Sequence, residues 1–101
     1  MPIFTPPDQR SPNFSSSPEP IHEPVRVVVD FSPLPGAQRV RPLAFLWGGK
    51  KYHIKKLNLR YKRQHGKRFV WCFAVSDEAN NYTLEYDPEE LQWTLTEVYL
   101  S

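Results

Sequence analysis

From Val25 onward, apolar and polar residues alternate with a period of two, the signature of half-buried strands. Val25, Val27, Val29 and Phe31 alternate with Arg26, Val28 and Asp30, and a turn marked by Pro33, Pro35 and Gly36 leads to a second apolar face of Leu43, Phe45 and Trp47. Gly48 and Gly49 predict a tight hairpin, because glycine reaches the positive φ that such a turn requires, and the chain then reverses into a strand from Lys50. Tyr52 and Ile54 take the inward phase at even positions, but Leu57, Leu59 and Tyr61 take it at odd ones. One residue must be absorbed, and a β-bulge at Lys55 and Lys56 is the predicted place. This phase directs Lys51, His53, Lys55, Asn58, Arg60 and Lys62 outward along one long strand. Phe69, Trp71, Phe73 and Val75 resume the alternation after a turn over 63–67, Tyr82, Leu84 and Tyr86 follow a polar turn over 77–81, and Leu91, Trp93 and Leu95 read as the last strand.

No stretch carries apolar residues at the 3.6 spacing of a helix, so helix is limited to at most one short turn near 88–91, after Asp87-Pro88-Glu89-Glu90. The predicted fold is all-β: a single domain with a five- or six-stranded antiparallel meander. Its short connections suit either a strongly bent sheet or a small SH3-like or OB-like barrel.

The alternation is missing from residues 1–20, where Pro2, Pro6, Pro7, Pro12, Pro18 and Pro20 surround the run Ser15-Ser16-Ser17. Proline removes backbone donors and serine adds no burial, which predicts a disordered tail over 1–20 before a β-domain over 21–101. Ile3, Phe4 and Phe14 are its apolar hooks. A chain of 101 residues with 40% apolar content bounds the answer to one domain, and its aromatic side chains supply the bulk that so small a core needs. With one cysteine, Cys72, and no apolar run near the ~18–20 residues of a membrane span, the expectation is a cytoplasmic protein without membrane contact. The absence of a basic-then-apolar leader in Met1–Asp8 points the same way.

Charge changes this picture most. The formal net charge is only +2, yet no acid occurs between Asp30 and Asp77, and no lysine or arginine follows Asp77. Arg39, Arg41 and the bases of the hairpin over 50–68 therefore face an acidic C-terminal third containing Glu85, Asp87, Glu89, Glu90 and Glu97. Such a layout serves phosphate binding, for which the candidates are Lys51, Lys55, Arg60, Lys62 and Arg63. It equally serves pairing between basic and acidic strands, because opposite charges on neighbours favour correct registry. A second surface comes from phase: Val28, Ala44, Leu46, Val70, Cys72 and Ala74 lie opposite to the large aromatics and are all apolar. A sheet with one wet face carries polar residues there, so a cover is expected, and Leu46, Val70, Cys72 and Ala74 mark the candidate interaction face. The cover is a protein partner, a second copy in a homodimer, a barrel wall or the tail.

Arg41-Pro42, Phe45, Trp47-Gly48-Gly49, Tyr52 and Ile54, then Trp71-Cys72-Phe73-Ala74-Val75, Tyr82-Thr83-Leu84-Glu85-Tyr86-Asp87 and Trp93-Thr94-Leu95 together resemble a group of short uncharacterised bacterial β-proteins. Some relatives of that group look like appendages of DNA-repair polymerases. The resemblance spans about Val25 to Leu100 and implies a β-module in a repair context, with no catalytic residue carried over.

Catalysis and metal binding have little footing. A nucleophile needs a base within hydrogen-bond reach, and Cys72, between Trp71 and Phe73, reads as an inert structural thiol. His22, His53 and His65 are scattered without zinc-ligand spacing, and Gly48-Gly49-Lys50-Lys51 lacks the loop and helix of a phosphate cradle. The sequence therefore describes a non-enzymatic binding or structural module, without cofactor, metal or small-molecule substrate. Foremost is a protein-interaction or self-associating β-domain, with nucleic-acid binding through the basic hairpin 50–68 as the alternative.

Overall fold

A computed structural model describes residues 18–100; residues 1–17 of the tail predicted over 1–20 lie outside the described residues. Among the described residues the alternating segments form eight antiparallel strands: β1 (Pro18–Pro24), β2 (Arg26–Phe31), β3 (Val40–Trp47), β4 (Lys50–His53), β5 (Lys56–His65), β6 (Arg68–Ser76), β7 (Asn81–Asp87) and β8 (Gln92–Tyr99). The fold is all-β, as the alternation predicts, but the meander is divided between two sheets. One has five strands in the order β1-β8-β7-β6-β5, and the other has three in the order β2-β3-β4.

Proline does not keep the end of the predicted tail out of the fold. Pro18, Glu19 and Pro20 pair with Tyr99, Val98 and Glu97 of β8, and β1 is an edge strand, where a missing N–H is tolerated. A kink at His22, with φ at 54°, shifts the β1 register between Pro20 and Glu23. Ile21 packs on the core.

Four-residue helical geometry occurs at Gly36–Arg39, as a 3-10 turn leading into β3, and the segment after Asp87 is a plain turn. There Asp87 Oδ1 accepts from the backbone N–H groups of Glu89 and Glu90, which closes a turn locally instead of starting a helix. The Gly48-Gly49 hairpin forms as expected, with φ of 60° and 76°, and pairs Trp47 with Lys50.

The largest departure lies between Tyr52 and Tyr61. The predicted long strand is two strands in different sheets: Ile54 N–H still bonds to Leu43 in the three-stranded sheet, and Lys55 N–H already bonds to Ser76 in the five-stranded one. The bulge sits three residues later than predicted, at Asn58, where pairing jumps from Leu57↔Val75 to Leu59↔Ala74. A bulge reverses the facing of everything after it. Arg60 and Lys62 therefore stand opposite Phe73 and Trp71 on the core-facing side, while Leu59 and Tyr61 stand opposite Ala74 and Cys72 on the outer side. A second bulge pairs Val28 with Ala44 and Val29 with Pro42. It ejects Leu43, which is exposed, and lets Pro42 be buried in its place.

The core lies between the sheets. Phe45, Phe73, Val75, Tyr82, Leu84, Leu95 and Val98 are buried together. Phe45 stacks on Tyr52 at 5.1 Å and 10° and meets the edge of Tyr82 at 5.1 Å and 71°, geometries that aromatic quadrupoles favour.

Candidate nucleic-acid interface

The five-stranded sheet sorts its charges by face. Alternation along β7 sends Tyr82, Leu84 and Tyr86 inward and Thr83, Glu85 and Asp87 outward, since Leu84 and Tyr86 pair with Leu95 and Trp93 while Glu85 pairs with Cys72. On the outer face Arg63 reaches from β5 across β6 to ion-pair with Glu85. Arg68 holds Asp87 at 2.6 Å and Glu89 at 2.7 Å, and His65 Nε2 lies 3.8 Å from Glu85.

These pairs roof the apolar outer residues. Val70 and Cys72 are each only 2% exposed, and their strand neighbours are Arg63 and Tyr61 on β5, with Glu85 beside Cys72 on β7. Long charged side chains cover apolar surface with their stems while their heads stay wet, so the expected cover is supplied from within the chain. Leu46 does not share this face: it sits on β3 of the other sheet, opposite Arg26 and Lys51. Burial, and then the negative charge of Glu85, push the Cys72 thiol above its ordinary pKa, which suits an unreactive thiol. Ala74 lies at the edge of the roofed region. Beside it Leu59 and Tyr61 remain 56% and 38% exposed, and with Asn81, Thr83 and Tyr99 they line a cavity of about 370 Å³.

The sequence-predicted basic set is split among four places. Lys51 lines a cavity with Lys50, His53, Asp77 and Glu78, so acids neighbour it. Lys55, at the junction of the sheets, lines that cavity and also a second one of about 580 Å³, which it shares with Arg41, Lys56, Asn58 and Arg60. Among the described residues, no acid lines the second cavity. Arg60 Nε is buried there without a hydrogen-bond partner among the described residues, and an orphaned buried donor costs about 1–3 kcal/mol. Lys62 continues along the same face, its ammonium 5.1 Å from the ring centres of both Phe69 and Trp71. Arg63 is consumed by Glu85 on the outer side.

Lys62 also begins a row that sequence reasoning missed. Lys62, Trp71, Tyr86 and Trp93 are consecutive register partners across β5, β6, β7 and β8, and the Tyr86 and Trp93 rings lie 4.9 Å apart. Trp71, Tyr86 and Trp93 are half-buried and Phe69 is 51% exposed. The missing signal was the bulge: with β5 in the wrong phase, no base stood on the aromatic side.

The geometry thus sets a basic cavity at the β5 edge beside an aromatic row, with Arg60 of the cavity and Lys62 of the row on the same side of the strand. Comparisons with protein-family models, curated proteins and solved structures find no match. What the domain binds is therefore read from the chemistry of this face.

Proposed function

We propose that this domain is a non-catalytic binding module that takes the phosphate backbone of a nucleic acid along the face formed by Arg41, Lys55, Lys56, Arg60 and Lys62. One observation carries the reading: these five bases have no ion pair among the described residues, while the acids of β7 and its following turn are engaged by Arg63 and Arg68 on the opposite face. Unpaired bases that only kept the exposed edge strand β5 from pairing with other chains would need no shared concavity. Here four of them line one cavity with Asn58, and the orphaned Arg60 Nε is a donor that an anion on the guanidinium would satisfy.

Five neutralised phosphates give a slope of log K against log salt of about −3.5 for single strands and −4.5 for duplex. Affinity should therefore fall by roughly 10²–10³ between about 50 and 200 mM salt, read by fluorescence anisotropy of labelled oligonucleotides. Lys55→Glu combined with Lys62→Glu should abolish binding with the melting temperature retained, because both side chains are exposed. Absence of binding to single- and double-stranded DNA and RNA at about 50 mM salt, where phosphate contacts are strong, would sink the reading.

A second reading, as a protein-interaction or self-associating module, is favoured by the exposed Leu59 and Tyr61 beside Ala74. Under it, Ala74→Arg lowers the mass in solution or releases a partner, and the doubly reversed basic variant keeps both.

A further inference from the structure

We infer that the ligand of this face is single-stranded, with its bases stacked on the row Trp71, Tyr86 and Trp93 and on Phe69 at the row's open edge. This deepens the phosphate-binding reading and rests on it. A duplex hides the faces of its bases, and a single strand presents them to any aromatic surface of matching spacing.

Three features of the row fit that chemistry. First, its rings come from three adjacent strands and lie on one face, with strands spaced about 4.8 Å apart, so the row runs about 9–10 Å from Trp71 to Trp93. Second, it is left half-open: these rings flank the core while Phe45, Phe73 and Leu84 are fully sealed. Third, its charge is complementary to a polynucleotide at both ends. Lys62 stands at one end with Arg60 two residues before it on the same face, about 7 Å away along the strand. The other end opens on a cavity of about 610 Å³ lined by Arg26, Leu91, Gln92 and Trp93, with no acid among the described residues of its lining. Asp87, next in sequence to Tyr86, is turned to the opposite face and held by Arg68.

Lys62 has a specific part. In the free protein its ammonium rests on the faces of Phe69 and Trp71, a cation–π contact that screens those rings from water. A bound strand exchanges this contact for another: a base takes the ring face, and the ammonium moves to the adjoining phosphate. Lys62 is thus both a placeholder and a phosphate ligand. This separates it from Arg41, Lys55 and Lys56, which contact phosphate alone.

The decisive probe is a pair of labelled twelve-residue oligomers with the same phosphates, oligo-dT and its fully abasic counterpart, together with a duplex of equal length. Stacking predicts that oligo-dT binds at least about tenfold more tightly than the abasic strand, since each stacked base is worth about five- to a hundredfold. It also predicts that tryptophan fluorescence is quenched by oligo-dT and not by the abasic strand. Phe69→Ala, at an exposed position, should lower the ratio of oligo-dT affinity to abasic affinity. Lys62→Gln should weaken both strands. Equal affinity for oligo-dT, the abasic strand and the duplex overturns the stacking inference and leaves phosphate binding standing. No binding of any of the three overturns the phosphate reading itself.

Discussion

The inner face of the five-stranded sheet carries aromatic residues toward both ends, but the two ends meet different surroundings. At one end Tyr82 and Val75 lie under Phe45 and Tyr52 of the three-stranded sheet and are 2% and 0% exposed. At the other, Trp71, Tyr86 and Trp93 are half-buried, and Phe69 is 51% exposed with a lysine on its ring. Tyr82 and Tyr86 share residue type, strand and phase. The difference comes from where the second sheet lies, and that follows from the chain leaving β4 for β5 at Ile54 and Lys55. An aromatic on an inward phase is thus core only if something is laid over it.

The sharpest way to break this comparison is to truncate one ring at each end. Phe45→Ala should cost about 3–5 kcal/mol, lowering the melting temperature by on the order of 15 °C or more. Phe69→Ala is the opposite extreme.

Tyr82 gives the next effect. Its hydroxyl donates to Asp77 Oδ2 at 2.7 Å, and burial, then this hydrogen bond, push its pKa up to about 12. Its protonated form is therefore favoured by folding, and that stability is complete below about pH 10 and lost as pH rises toward about 12. Burial works to raise the Asp77 carboxyl, but bonds from Asn80, Tyr82 and Ala79 outweigh it and hold the group below 3.8. Its contribution is present above that pH and fades only in stronger acid. Tyr82→Phe should cost about 1–2 kcal/mol at neutral pH and flatten the alkaline limb of a pH titration of the melting temperature.

On the outer face, Arg63→Ala should cost only about 0.5–1 kcal/mol, because the arginine is half-exposed and its pairing with Glu85 is screened by water. A sharper readout is Cys72, which should react with a thiol reagent markedly faster once its roof is removed. Unchanged labelling would show that Arg63 is not the cover. Smallest of all, Phe69→Ala should change stability by no more than about 0.5 kcal/mol. A larger loss would mean that the open end is core after all.

Strand existence was legible in the sequence, since period-two runs such as Phe69 to Val75 declare themselves without tertiary information. The Gly48-Gly49 hairpin was legible for the same local reason. Bulge position was not: Leu57 faces inward whether the bulge lies before it at Lys55-Lys56 or after it at Asn58, and only the pairing with Val75 and Ala74 shows that the phase changes after Leu57. The candidate site inherited that ambiguity. Arg60 and Lys62 were recognisable as bases in an acid-free stretch, but their company of aromatics was not. Val70 and Cys72 were recognisable as apolar on an outward phase, and their cover depended on how far Arg63 reaches across a strand.

The bulge at Asn58 carries one consequence of another kind. Were Asn58 paired with Ala74 instead of bulged out, each later residue of β5 would move one place along β6, turning Leu59 and Tyr61 toward the aromatic row and Arg60 and Lys62 toward Glu85. Composition, net charge and strand count would barely change, yet the two faces of the sheet would exchange chemistries. In a lineage of such domains, a one-place shift in this pairing is a step by which a phosphate-facing surface becomes a greasy one, and a comparison of sequences alone would miss it.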